Sequence, residues 1–372
     1  MGYAFKVKYD VVVGGGGVAG ISAAVSASRM GARTAVIEKG FTPGGLAVSG
    51  LVNVFLPLCD GNGNQVLSGI PEELLKLSIK YGPGEIPPGW NGDGGEKICR
   101  YMLRFSPAAF GLALDEFIAE NNVDVWYDTL VTGVEMDGDR IRALSVHNKS
   151  GNGLIEGAAF VDATGDADIA KFAGCRLING TNSFSVWGIQ ASLERARSAV
   201  KYNDRELLND MVKLGAGDTG EGHPEGEVIR CGIDGKIVSE YSTASRRYLR
   251  EYFKMQAAKS AETAPFPLTL PGMAQLRTTR RIAGVETLSE NGAGLDTGTT
   301  LISVPSWKER GVIWHIPEGA LIPEECKNLY AAGRIISAEE GAPWEAVRSI
   351  PAVSATGEAA GILSWKSVVE NR

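Results

Sequence analysis

The sequence predicts an α/β fold: a parallel sheet with helices, carrying an inserted α+β domain. Three observations lead there. Residues 9–38 read as strand, glycine turn, helix and strand. Two later apolar segments, 160–163 and 329–332, are short strands that run into Thr-Gly or Gly. Glycine is in excess, 48 of 372 residues, and it is clustered rather than periodic. Clustered glycine marks tight turns, or backbone packed against something flat or charged.

Tyr9 to Val13 is a short β-branched run, and four glycines follow it. Ile21, Ala24, Val25 and Ser28 then recur at helical spacing, until Gly31 ends the helix. Thr34 to Ile37 is the next strand, and Glu38 closes it. Within this unit Gly15-Gly16-Gly17-Val18-Ala19-Gly20 fits the dinucleotide fingerprint. Gly15 permits the sharp turn, Gly17 lets a pyrophosphate reach the backbone, and Gly20 lets the helix lie close to the strand. The start of the helix offers unpaired N–H groups and partial positive charge. Glu38, 18 residues after Gly20, is placed to accept hydrogen bonds from ribose hydroxyls. Lys39 and a loop with the pair Gly44-Gly45, then Leu46 and Ala47, follow it. Such a loop suits the edge of a large flat ring. At this point FAD and NAD both stand.

Alternating apolar residues across Asp137-Gly138 predict a hairpin over residues 130–146, with Val131 placed for an adenine or for the core. Ala163-Thr164-Gly165 ends an apolar strand in small residues that let a dinucleotide approach. Asp166 and Asp168 then read as a loop and helix start rather than a metal pair. Leu329 to Gly333 is the last strand. A loop is expected over 337–351, then a small-residue helix with Pro351 in its first turn. The positive end of that helix would stabilise a reduced flavin, and its small residues would let it sit close under the ring.

Together these segments resemble the FAD-dependent oxidoreductases of the glutathione-reductase-type Rossmann superfamily, related to fumarate reductase and succinate dehydrogenase flavoproteins. Residues 345–351, Gly357 and Gly361 sharpen the resemblance. It implies a Rossmann-like FAD-binding domain and FAD as cofactor. Gly15, Gly17 and Gly20 would hold the pyrophosphate and Glu38 the ribose. Gly45 to Ala47 would flank the flavin and Val131 the adenine. Ala163, Thr164, Gly165 and Asp168 would lie near the diphosphate. Gly333, Arg334, Ile350 and Pro351 would meet the ribityl chain and pyrimidine end. No histidine precedes Arg140, which excludes the histidyl link to FAD near the glycine loop. The histidine-bearing substrate motif and the paired redox cysteines of relatives are also missing.

On this reading residues 1–50, 96–175 and 315–372 form the FAD-binding domain, and 51–95 and 176–314 the cap or substrate domain. The cap carries expected helices at 193–214 and 244–262 and Gly-rich loops at 82–95 and 215–226. Catalytic candidates are Arg348, Arg280 and His315. Arg348 precedes the flavin-facing helix and suits an anionic substrate, or a salt bridge to Glu340 or Glu345. Of Arg277, Arg280 and Arg281, at least one is expected to pair with an acid such as Glu286 or Glu290.

Composition bounds the partners. With 37 basic and 44 acidic residues the net charge is −7, and 44% of residues are hydrophobic. A disordered chain is excluded, and nucleic-acid binding by bulk charge is disfavoured. Cys59, Cys99, Cys175, Cys231 and Cys326 form no C-x-x-C, and His147, His223 and His315 are scattered, so no metal is expected. They read as buried thiols of a reducing cytosol. Residues 1–10 are polar, and the longest mostly apolar stretch, 47–58, is short and interrupted by polar residues. A cytoplasmic oxidoreductase acting on a small organic substrate, without membrane contact, is the leading expectation. An electron-transfer flavoprotein with a protein partner, a thiazole-synthase-like NAD protein and a tRNA-modifying flavoprotein are the alternatives.

Overall fold

The computed structural model describes residues 2–87, 90, 101–217, 220–294, 296 and 298–371. Cys99 and parts of both Gly-rich loops, 82–95 and 215–226, lie outside the described residues.

Five parallel strands form the central sheet, in the spatial order Leu329–Ala331, Ala159–Asp162, Val11–Gly14, Thr34–Ile37 and Asp124–Trp126. Val13 sits between Val161 and Val36, and Gly14 between Asp162 and Ile37. The strand Val11–Gly14 and the two that flank it are mostly apolar and buried throughout, as a parallel sheet covered on both faces requires. Their carboxyl ends share one edge, where open α/β sheets place ligands.

The first helix, Val18–Arg29, is buried from Val18 to Ala27. Small residues allow a close crossing with the C-terminal helix, Ile350–Glu370. A Cβ on Gly357 would lie 2.1 Å from the Ala19 carbonyl oxygen, and one on Gly361 2.1 Å from that of Ala23. The small face of the C-terminal helix at Gly357 and Gly361 therefore packs on the first helix. Residues 337–351 also differ from a plain loop, since Ala342–Val347 is a short helix.

A second, four-stranded sheet orders Phe5–Lys8, Gly151–Glu156, Arg140–Asn148 and Leu130–Asp137. It contains the expected hairpin, turning at Asp137 and Arg140. A third sheet places Ser185–Ala191 between Asp210–Gly215 and Phe266–Thr269. The helix Gly235–Ala257 covers it, and Phe184, Val186, Val212, Tyr241 and Leu249 form a second, smaller core. The helix expected over 193–214 stops at Tyr202, because Asn203 turns left-handed (φ 51°) and a strand begins at Asp210. That expected over 244–262 begins earlier, at Gly235, where the Asp234 side chain caps the Lys236 and Ile237 N–H groups. Among the described residues no helix is long and apolar enough to cross a membrane, and no described cysteine forms a disulfide.

Candidate functional site

The fingerprint glycines divide by what surrounds them. Gly15 is left-handed (φ 97°), and a Cβ there would lie 2.4 Å from the Ala163 carbonyl oxygen. A Cβ on Gly20 would lie 1.8 Å from the Gly15 carbonyl oxygen. Both are glycine because backbone packs against them. Gly17 is different: its backbone is ordinary (φ −69°), and a Cβ would meet nothing within 4 Å. It borders a cavity of about 380 Å³ at the carboxyl edge of the central sheet.

One wall of this cavity is built by Gly15, Gly17, Val18 and Ala19, then Glu38, Lys39, Gly45, Leu46 and Ala47. Ala163, Thr164, Gly165, Gly333, Arg334 and Ile350 continue it. The strand ends bring these distant segments together. The Gly44 N–H donates to the Gly16 carbonyl at 2.7 Å, which lays the 44–47 loop along the fingerprint. The Glu38 carboxylate accepts from the Gly16 and Gly40 N–H groups, both at 2.7 Å. These bonds fix its orientation at the cavity edge.

Five expected residues lie outside that lining. Gly16 holds Glu38 and Gly44, Gly20 is packed on Gly15, and Pro351 is buried in the first turn of the C-terminal helix. Val131 pairs with Val146 and packs against the main core. Asp168 ion-pairs with Arg280 at 2.5 Å.

Behind the lining, Asp162 is wholly buried and accepts from the Thr164 N–H, the Thr164 hydroxyl and the Ala170 N–H. Burial outweighs these bonds and pushes its carboxyl up to about 6. The Thr164 hydroxyl in turn accepts from the Asp168 N–H at 3.0 Å, holding the start of Asp168–Phe172. Arg334 donates to the Gly165 carbonyl and to Asp166. The two aspartates thus face arginines.

The opposite wall comes from the smaller core. Strand alternation turns Val186 into that core and Ser185 and Trp187 toward the cavity. Met273, Gln275 and Arg277 join them, with Arg348 beyond. Gln275 fastens the two walls: its carbonyl oxygen accepts from the Trp187 N–H, and its amide donates to the Gly50 carbonyl. Gly272 N–H adds a bond to the Ser49 carbonyl at 2.8 Å. The Arg277 guanidinium donates to the Gly217 carbonyl at 2.7 Å, and that of Arg348 stacks over Trp344, 5.0 Å from the ring centre.

The other two catalytic candidates fall elsewhere. Arg280 is buried between Asp168 and the Asp166 carbonyl. It belongs to the arginine cluster and forms an ion pair, and its partner is Asp168 rather than Glu286 or Glu290. Glu286 instead accepts from Thr299 and the Gly319 N–H. His315, on Ile313–Pro317, shares a hydrogen bond with the Ser303 hydroxyl and does not border the cavity. Ser185, Trp187, Met273 and Gln275 were not expected at the site. No motif marks them.

A family model described as FAD dependent oxidoreductase matches residues 10–209 and 296–372, well over half of the chain. No curated protein sequence matches it. Among solved structures, p-nitrophenol 4-monooxygenase from Pseudomonas putida is similar at TM-score 0.51 and 14% identity, covering 99% of this chain and 82% of that one. A geranylgeranyl bacteriochlorophyll reductase-like protein from Thermoplasma acidophilum reaches TM-score 0.47 at 14% identity, covering 98% and 80%. At 14% identity the likeness to the first of these concerns the fold alone.

Proposed function

The chain belongs to the FAD dependent oxidoreductase family, an enzyme family with FAD as cofactor, and from that premise we propose that it holds FAD noncovalently and exchanges a hydride with a small anionic organic substrate. The observation that carries this reading is the single cavity that joins the fingerprint wall to the Trp187–Arg277 wall. The residues fit the cofactor. Gly17 leaves open space where any side chain would intrude, and Glu38 presents an oriented carboxylate. Among the described lining residues there is no histidine, cysteine or tyrosine to attach a flavin.

On this reading Gly17 and the first-turn N–H groups of Val18 and Ala19 hold the pyrophosphate. Glu38 accepts from ribose hydroxyls. Leu46 and Ala47 shield the ring edge, and the N-terminal turn at Ile350 offers partial positive charge to the pyrimidine end. Bound FAD supplies a two-electron centre for hydride transfer. Arg277 and Arg348 hold the substrate's anionic group and orient it, while Trp187 and Met273 exclude water. Residues 1–50, 96–175 and 315–372 are read as the FAD-binding unit and 51–95 and 176–314 as the cap. In support, the parallel sheet draws all its strands from the former, and the smaller core all its residues from the latter.

The test is anaerobic photoreduction of the FAD-loaded protein, followed by a screen of organic acids, alcohols and sugars for electron exchange. Exchange with a small acid that weakens in Arg348→Gln supports the proposal. Exchange with a carrier protein alone would overturn it in favour of an electron-transfer role.

A further inference from the structure

The strand Ser185–Ala191 has a neighbour on one side for only part of its length, since Phe266–Thr269 pairs with it from Ile189 to Ala191. At Trp187 the side chain of Gln275 takes over that side. Its carbonyl oxygen accepts from the Trp187 N–H at 2.8 Å, and its amide nitrogen donates to the Trp187 carbonyl at 3.3 Å. A side-chain amide has the donor and acceptor of a peptide group, so it can finish a strand ladder. The same amide nitrogen also donates to the Gly50 carbonyl. Gln275 is buried, and the Tyr241 phenol donates to its main-chain carbonyl at 3.4 Å. On its other side Trp187 pairs with Lys213, whose ammonium lies over the indole, 4.1 Å from the ring centre.

We propose that Gln275 is a positioning residue for hydride transfer: it sets how far Trp187, on the substrate wall, stands from the loop 45–50 beside the flavin. This rests on FAD occupying the first cavity. Gly50 transmits the constraint because its backbone packs on Leu46, where a Cβ would lie 2.7 Å from the Leu46 carbonyl oxygen. Leu46 and Ala47 border the cavity from the loop side, and Trp187 from the cap side. A single buried side chain therefore hydrogen-bonds to both walls. Hydride transfer needs its reacting atoms about 3–3.5 Å apart, and a misplacement of about 1 Å costs about 10²-fold in rate. The groups read as holding the pyrophosphate and ribose, Gly17 and Glu38, make no bond to Gln275. Its loss should therefore disturb alignment and leave FAD affinity in place.

The experiment reads the flavin fluorescence lifetime of the FAD-loaded protein. An indole close to an excited flavin gives it an electron and shortens the lifetime, steeply with distance. Trp187 is the one tryptophan among the described residues that line the cavity. The parent lifetime should be short, and Trp187→Phe should lengthen it. Gln275→Met keeps the length of the side chain and removes its bonds. It should lengthen and spread the lifetimes toward those of Trp187→Phe, with FAD titration unchanged. Gln275→Ala should do the same, and it leaves room for water to solvate the freed Trp187 and Gly50 groups, so it serves if the methionine variant does not fold. Lifetimes like the parent's in the folded variants would overturn the proposal, whatever their stability. So would a matching loss of FAD affinity, because Gln275 would then be holding the cofactor site together. Failure of the underlying reading looks different: the parent takes up no FAD, or binds it with a lifetime that Trp187→Phe does not change.

Discussion

Gly17→Val should separate folding from cofactor binding. The backbone at Gly17 is one that any residue adopts, and a Cβ there meets no protein atom within 4 Å. The variant should therefore fold with stability within about 0.5 kcal/mol of the parent, or slightly above it through the lost chain entropy of glycine. Its isopropyl group, however, occupies the space through which phosphate oxygens must approach the first-turn N–H groups. Losing two hydrogen bonds to a charged group, at about 1.5–3 kcal/mol each, predicts a fall in FAD affinity of about 10²–10⁴-fold. Gly20→Ala is the control with the opposite signature. Its Cβ would lie 1.8 Å from the Gly15 carbonyl oxygen, so the fold itself should lose about 3 kcal/mol or more. The assay pairs denaturant unfolding of the FAD-free proteins with FAD titration followed by fluorescence. A Gly17→Val protein that binds FAD like the parent would refute the reasoning, as would one that is destabilised as much as Gly20→Ala.

Other variants test the supporting structure. Arg280→Leu leaves Asp168 without its ion-pair partner, and chemical denaturation should register a loss of about 2 kcal/mol, below the usual 3–5 because Asp168 is about a third exposed. Asp162 has its carboxyl raised by burial to about 6, so its neutral form favours the fold. Its contribution is fully present below about pH 4 and is lost as pH rises through about 6, a change of about 3 kcal/mol. Unfolding midpoints across that range should show this fall in the parent protein and lack it in Asp162→Asn. Arg277→Gln and Arg348→Gln should each weaken acetate binding to the FAD-loaded protein about tenfold or more, with FAD titration unchanged.

The strand–glycine–helix–strand unit was legible because its residues answer to local rules. Gly15 and Gly20 touch backbone, Gly31 ends a helix, and Glu38 sits where the next strand stops. The later strands were legible for the same reason, as short apolar runs that end in small residues. The cap wall was not. Trp187 reaches the cavity through a strand paired with segments more than 20 residues away, and Gln275 through bonds to Trp187 and Gly50. Neither contact leaves a pattern in neighbouring residues. Arg280 shows the converse failure. A basic cluster suggests a substrate site, but the fold buries this arginine to neutralise Asp168, and only tertiary placement separates those two uses of the same charge. The smallness of Gly357 and Gly361 was visible in the sequence, but the helix they pack against was not, because it lies more than 300 residues away in the chain.

On the proposed reading one FAD lies in this cavity without a covalent bond. Acid precipitation of the purified, FAD-saturated protein tests it most directly, with the flavin measured in supernatant and pellet. One FAD per chain is expected, released into the supernatant, and none carried by Gly17→Val. Flavin that stays with the pellet, or a parent protein that remains colourless after incubation with FAD, would contradict it.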